Sequence, residues 1–341
     1  MSKALGKKIR DIDESQFGNN KTLGDKIKFV LQYAILAPST HNVQPWFFLV
    51  GDDYCDIVLD NKCELPQADK DKRNAYISIG CALENIIYSA QFFGIYNNYK
   101  FIRDDELKIR VYFKDGGAVS GNTEYISAVK NRINVRGIFS TKEISKNFVD
   151  DIVAKCDEYG VECSIIKDKG MISDIAILTK AGIVYAYNNK LFRKEMSHFI
   201  NHSYSRKNHG IHGYSLKLPV FLSFLLSPAI RFFNIGFLLK KLNYRSVNSA
   251  DTVCVFSTDK DVEEEWVTVG RAAQFAMLYA TKNNFNTSIY IASIENSETR
   301  QQLQKIVGMK KKPQFLITMG YMPGLHHTTP RIPLKYKLKD V

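Results

Sequence analysis

Ala37-Pro38-Ser39-Thr40-His41-Asn42-Val43-Gln44-Pro45-Trp46 lies between an apolar, helix-like run at 27–36 and a strand-like run, Phe47-Phe48-Leu49-Val50. Pro38 and Pro45 fix φ and bar the helix from continuing. Ser39, Thr40, His41, Asn42 and Gln44 crowd short donors and acceptors onto one turn. Residue chemistry alone leaves two readings open. The turn is either a cradle of hydrogen bonds for a planar, polar ligand or an ordinary loop after a helix, since turn residues gather in loops everywhere.

Working outward, the surrounding segments alternate helical and extended patterns. Toward the N-terminus a helix is expected over 23–37. After the loop come strands near 46–50 and 55–60, a long helix near 74–94 and a strand near 107–113. The stretch 114–122, rich in glycine and polar residues, reads as a linker. Beyond it the periodicity predicts helices near 123–132 and 146–159, a strand near 161–167 and one helical stretch over about 171–200. A strand near 252–257, a helix near 264–284, a strand near 288–292, a short helix near 297–306 and a strand near 314–320 complete the chain. Helices covering mixed strands in both halves imply an α+β class.

With 341 residues the expectation is about two domains. Hydrophobic residues at 45% and aromatics at 12% supply a sizeable core and exclude a disordered chain. The six cysteines form no Cys-x-x-Cys pair, and several lie in apolar runs, which suits buried free thiols in a reducing compartment. The basic N-terminus lacks a following apolar segment of the kind a secretory signal carries. A cytoplasmic location is the expectation.

The net charge of +12 is unevenly spread. Residues 190–250 carry ten Lys/Arg against one acid, and residues 300–341 nine against one. Such basic surface favours anionic ligands or an acidic lipid surface, or is simply solvated. No basic-aromatic pattern of a nucleic-acid reader appears, so a nucleic-acid partner is not expected.

The decapeptide at 37–46 resembles the flavin-contacting loop of the nitroreductase family, whose pattern is Ala-Pro-Ser, two variable residues, Asn, one variable residue, Gln-Pro-Trp. Every fixed position is matched, by Ala37, Pro38, Ser39, Asn42, Gln44, Pro45 and Trp46. Asp71 and Arg73, leading into the run at 77–86, resemble a helix of the two-lobed branch typified by mycobacterial dormancy-associated, flavin-sequestering proteins. The resemblance extends thinly over most of the chain. It implies a nitroreductase-like α+β fold in which two related lobes form a single-chain pseudo-dimer. The lobes would be 1–115, carrying the Pro-Ser-x-x-Asn loop, and 116–341, carrying an arginine element and an insertion or lid at about 197–249.

In that family one subunit supplies the loop and the other an Arg-x-x-x-Arg start and a C-terminal basic residue. Here Arg132-Ile133-Asn134-Val135-Arg136 resembles the arginine start, and Thr329-Pro330-Arg331 the terminal element. The first half shows no comparable arginine start. The second half has Tyr159-Gly160-Val161-Glu162-Cys163 where its own loop would stand. One complete FMN site is therefore implied, with a second one lost. Arg132, Arg136 and Arg331 would neutralise the phosphate, for which a forked guanidinium is suited. Asn134 would meet the ribityl chain or pyrimidine edge. Pro38, Ser39, Thr40 and Asn42 would approach the ring system from the other lobe. Gln44 and Trp46 are expected to be structural. The segment 286–290 lies where the family runs backbone past the flavin ring, without assigning one residue.

The resemblance implies an FMN-dependent oxidoreductase that takes electrons from NAD(P)H and reduces a small aromatic nitro or quinone-like acceptor. The alternative is a non-catalytic FMN-sequestering protein with a closed lid. No catalytic acid, base or nucleophile is required of the protein. Further pairing into a homodimer is left open.

Residues 197–249 fit the family worst. His198 and His202, four apart on an expected helix, have metal-ligand spacing, but no Cys, Asp or Glu stands near enough to complete a set, and no metal is expected. The apolar stretch 219–239 approaches the length of a membrane span, yet Pro228, Arg231 and Asn234 interrupt it centrally. It reads as a lid over the flavin or as a peripheral membrane contact, with Lys217, Lys240, Lys241 and Arg245 flanking it in the 217–245 segment.

Overall fold

The first helix, α1 (Leu23–Ala34), starts at Thr22, whose hydroxyl accepts the Asp25 N–H, and buries Ile27, Val30, Leu31 and Ala34 along one stripe. The computed structural model containing it describes residues 6–18, 21–117 and 123–339. Residues 1–5 of the basic N-terminus and 118–122 of the expected linker lie outside the described residues.

Four strands of the first half form an antiparallel array: β1 (Trp46–Val50), β2 (Tyr54–Leu59), β3 (Tyr96–Arg103) and β4 (Leu107–Phe113), ordered β1-β2-β4-β3. Between β2 and β3 runs α2 (Arg73–Phe92). On β4, buried and half-exposed residues alternate strictly, so only one face of this sheet is fully covered.

The second half repeats the pattern. Helix α3 (Thr123–Asn131) is followed by α4 (Lys146–Glu158), β5 (Glu162–Ile166), α5 (Lys169–Asn188) and α6 (Lys190–Phe199). A two-residue parallel pair, β6 (Ile200–Asn201) and β7 (Ile211–His212), leads to α7 (Val220–Phe232) and α8 (Gly236–Asn248). Strand β8 (Thr252–Thr258), helix α9 (Glu263–Lys282), strand β9 (Asn286–Ile289), helices α10 (Ala292–Glu295) and α11 (Ser297–Val307) and strand β10 (Lys312–Gly320) follow. The second sheet is ordered β5-β8-β10-β9, all antiparallel. Counted within each half, both sheets run first, second, fourth, third, with a 20-residue helix between the second and third strands. The architecture is α+β.

Those two helices cross at glycine. A Cβ on Gly80 would lie 2.0 Å from the Val267 carbonyl oxygen, and one on Gly270 would lie 2.0 Å from that of Ile77. The absent side chains bring the backbones together, so one apolar core runs from Ile77 and Leu83 through Val267 and Phe275 to Phe256 and Ile317. Strand β8 is buried along its whole length. Cys254 and Phe256 join this main core, while Val253 and Val255 face a second cluster with Ile172, Ile175 and Leu316.

The C-terminal segment returns to the first half. A two-residue strand, β11 (Leu338–Lys339), pairs in parallel with Phe48 and Leu49, placing the chain end on the edge of the first sheet.

Three expectations are corrected. The helical stretch 171–200 is two helices, because the Asn189 side chain accepts the N–H groups of Leu191 and Phe192 and starts α6 afresh. His198 and His202 do not share a helix: α6 ends at Phe199, and His202 stacks on Phe224 with ring centroids 4.4 Å apart. Strand β3 was not expected; its polar sequence, with Asn97 and Asn98, suits an exposed sheet edge.

Candidate functional site

The 37–46 loop is held in an uncommon backbone shape. His41, Asn42 and Gln44 adopt φ of 50°, 57° and 56°, the left-handed region that asparagine tolerates and other non-glycine residues resist. Such strain persists only where surrounding contacts over-determine it. Within the loop, the Gln44 N–H donates to Ser39 Oγ at 2.9 Å. Gln44, fully buried, then ties the loop to distant segments. Its Nε2 donates to the Asn42 and Asn208 carbonyls at 3.1 and 3.0 Å, and its Oε1 accepts the Ile332 N–H at 2.8 Å. Lys337 Nζ donates to the Gln44 carbonyl at 2.7 Å while paired with buried Asp60 at 3.2 Å.

Behind this loop three guanidiniums are buried together. Arg132 and Arg331 each donate to the Leu36 carbonyl oxygen at 3.2 Å. Arg10 donates to the carbonyls of Lys130 and Arg132 at 2.8 and 3.1 Å. Arg331 also donates to Thr329 Oγ1 and the Pro330 carbonyl. Among the described residues no carboxylate forms an ion pair with any of the three. Arg10 Nε, Arg331 Nε and both Nε and Nη1 of Arg132 have no hydrogen-bond partner. Burial pushes Arg10 down to about 9 and Arg132 to about 10, and it holds Arg331 well below the usual guanidinium range, with Arg10 and Arg132 adding like-charge repulsion. An uncompensated buried charge costs several kcal/mol. Three together carry charge that a dianion would neutralise, with unpartnered nitrogens that could donate to its oxygens, although none of the three lines the cavity in front of the loop.

In front of the loop lies a cavity of about 1250 Å³, above the ~300–1,000 Å³ usual for small-ligand pockets. Thr40 and His41 line it from the first half, and Arg73 from the start of α2. Arg136, Ile289 and Tyr290 line it from the second half, and Leu226, Ile230 and Leu239 of α7 and α8 roof it. Arg136 donates to the Ile289 carbonyl at 2.9 Å and lies 4.6 Å from the Tyr290 ring centroid. Burial first, and then the Arg136 charge, lower His41 to about 4, so its imidazole is neutral at neutral pH.

The structure thus divides the sequence-derived residues between two adjoining places. Pro38 is buried, and Asn42 Nδ2 donates to the Pro330 carbonyl at 3.1 Å, next to Arg331. Ser39 braces the turn, Arg132 and Arg331 lie in the buried cluster, and Thr40 and Arg136 face the cavity. Asn134 is exposed. Its Oδ1 accepts the Ile289 N–H at 2.9 Å, which aligns the 286–290 segment beside the cavity. The sequence reading missed Arg10, which falls in a basic N-terminal run with no motif around it. It also missed His41, a variable position of the pattern, and Lys337, whose role exists only because the C-terminal segment returns. Among the described residues no cluster of His, Cys, Asp or Glu has metal-binding geometry. All six cysteines are free, and five are buried.

Neither a family model nor a curated protein matches the chain. Solved structures with a similar arrangement include the FMN-dependent nitroreductase NfnB from Mycobacterium smegmatis in complex with NADPH. It is 14% identical, aligned over 64% of this chain and 97% of that one, at a TM-score of 0.42. They also include nitroreductase A from Vibrio parahaemolyticus (14% identity, 62% and 73% coverage, TM-score 0.39). A nitroreductase with bound FMN from Bacteroides fragilis is a third (12% identity, 59% and 89% coverage, TM-score 0.37).

Proposed function

We propose that this chain is an FMN-dependent oxidoreductase built as a single-chain pseudo-dimer, which takes electrons from NAD(P)H and passes them to a small aromatic nitro or quinone-like acceptor. The observation that carries this reading is the buried cluster of Arg10, Arg132 and Arg331 against the 37–46 loop, with no carboxylate paired to it among the described residues, beside a large cavity lined from both halves. The matched strand order of the two sheets and the glycine crossing of α2 and α9 support the pseudo-dimer.

The residues present fit FMN. Arg10, Arg132 and Arg331 would hold the phosphate with nitrogens that now lack partners, and the unpartnered Asn42 Oδ1 would accept from a ribityl hydroxyl. Thr40, His41, Arg136 and the 289–290 backbone would border the ring. When bound, the flavin supplies hydride acceptance and electron delivery. The chain's own residues do the rest. The guanidiniums would hold one end of the cofactor, and the strained loop would border the other. Neutral His41 adds no charge of its own to the cavity wall, Arg136 would offer positive charge to an anionic donor or a developing negative charge, and the roof of α7 and α8 limits access of water.

The test is anaerobic mixing of the FMN-loaded protein with NADH and with NADPH. Loss of the oxidised flavin absorption band with either donor supports turnover. A second reading, flavin sequestration, is favoured by the roof over the cavity. It predicts a band unchanged by both donors although FMN is bound.

A further inference from the structure

The pair of helices that roofs the cavity, with the turn between them, also carries more than half of the exposed large apolar side chains among the described residues. Along α7, Phe221, Leu225 and Phe232 lie on one outward face at helical spacing, 68%, 59% and 70% exposed. The apex between the helices and the start of α8 add Phe233 and Phe237, 69% and 65% exposed. The opposite face of α7 is anchored: Ser223 and Ile230 are buried, and Ser227 Oγ donates to the Ser197 carbonyl at 2.8 Å. Folding has therefore spent one face of the helix on the protein and left the other in water, where a contiguous run of large side chains marks a docking surface.

The charge pattern selects the occupant. From residue 196 to residue 250 the sequence contains no Asp or Glu and seven Lys/Arg. Arg231 and Lys241 are exposed on the same two helices and do not line the cavity, whereas exposed Lys217 and Arg245 stand at its wall, and the Arg231 guanidinium lies 5.7 Å from the Phe232 ring centroid. Exposed aromatic side chains in a segment that carries cations and no carboxylate suit the boundary of an anionic bilayer, where rings enter the acyl edge and cations meet phosphates. A second copy of this chain is disfavoured, because a symmetric contact would set this acid-free surface against itself. A straight span does not fit this shape. No single described helix is long and apolar enough to cross a membrane, and α7 and α8, which reach the required composition only together, are bent by 114°.

We propose that the outer face of α7 and the apex leading into α8 form a docking surface for an anionic phospholipid bilayer, on which these helices lie in the interfacial plane. This goes beyond the flavin reading and does not depend on it.

The full-length protein is co-sedimented with vesicles of phosphatidylcholine alone and of phosphatidylcholine and phosphatidylglycerol in equal parts, over a series of salt concentrations. The expected result is partition onto the anionic vesicles, weakened by salt and about tenfold or more lower on neutral ones. Lys240→Glu with Lys241→Glu should lower the anionic partition by a similar factor. Phe232→Ser, Phe233→Ser and Phe237→Ser together should abolish it. These side chains make few contacts in the fold, and unchanged circular dichroism and melting would verify that. Should the variants melt early, the salt series on the unaltered protein decides. Absence of anionic-vesicle binding, or binding indifferent to salt and lipid charge, overturns the proposal. So does a dimer by light scattering that the triple aromatic variant converts to monomer, which would assign the surface to a second copy.

Discussion

Arg132 and Arg331, from opposite ends of the second half, donate to one acceptor, the Leu36 carbonyl oxygen, each at 3.2 Å. Two cations on one neutral oxygen, with Arg10 bonded to the Arg132 carbonyl, form a contact that desolvation and mutual repulsion oppose and that a bound dianion would relieve.

Replacing Arg331 by Met should therefore separate binding from stability. The ligand-free variant should melt no lower than the unaltered protein, since a buried charge is replaced by an apolar chain of similar length. Its affinity for FMN should fall by about tenfold or more, the equivalent of about 1.5–3 kcal/mol for one charge-assisted hydrogen bond. Riboflavin, which lacks the phosphate, should bind both forms equally. Calorimetric titration with the two flavins measures this. An equal loss for riboflavin would show that Arg331 does not bear on the phosphate.

Bound FMN should plateau at one per chain. At Tyr159, where the family resemblance would put the second half's own loop, the hydroxyl donates to Glu84 and Glu84 pairs with Arg271, so the arginine there already has its carboxylate. An arginine already neutralised in this way offers little net charge to a phosphate. Absorbance of flavin released from a weighed amount of saturated protein gives the ratio, and a value of two would contradict the loss of one site.

Gly270→Ala should wedge the two halves apart. The added methyl would meet the Ile77 carbonyl oxygen at 2.0 Å and the Gly80 Cα at 2.9 Å, both backbone atoms in rigid helices. Overpacking of this kind costs about 1–3 kcal/mol. Urea unfolding should show a lower midpoint for Gly270→Ala and for Gly80→Ala, and no loss for Gly24→Ala, where the nearest atoms are 3.9 Å away. A midpoint unchanged by both crossing substitutions would mean that the helices do not approach this closely.

His41 makes stability depend on pH. Its folded value, about 4, lies below the ordinary 6.5, so the unfolded chain takes up the proton first as acid is added. Stability from this residue is intact above about 6.5 and is lost as the pH falls toward about 4. Asp69, raised to about 6 by burial, acts in the opposite direction over part of that range, so the comparison must be between forms of the protein. Urea midpoints measured through this window should fall less steeply for His41→Gln than for the unaltered chain. Parallel slopes would remove His41 from the account.

Much of the fold is legible locally. Periodic apolar residues and side-chain caps place α1, α4 and α11 within a few residues, because Thr22, Ser145 and Asn296 satisfy the first free N–H groups wherever the helix later packs. Continuous apolar runs indicate β8 and β10, which are covered on both faces. Strand β3 escapes because an exposed edge needs no apolar pattern, and β11 because its two residues are extended only by pairing with β1.

For the candidate site, the sequence by itself determined the residue types: a proline-bounded turn of short polar side chains, arginines far apart along the chain and a basic, apolar insertion. Only the tertiary structure decided that the C-terminal segment returns to the first sheet and brings Arg331, Ile332 and Lys337 to the 37–46 loop. It also decided that Arg10 joins Arg132 and that α7 and α8 roof the cavity while exposing their phenylalanines. The physical reason is that caps, turns and periodicity act over a few residues, whereas juxtaposed buried charges and shared carbonyls arise from long-range packing. Here that packing includes two helices lying glycine to glycine.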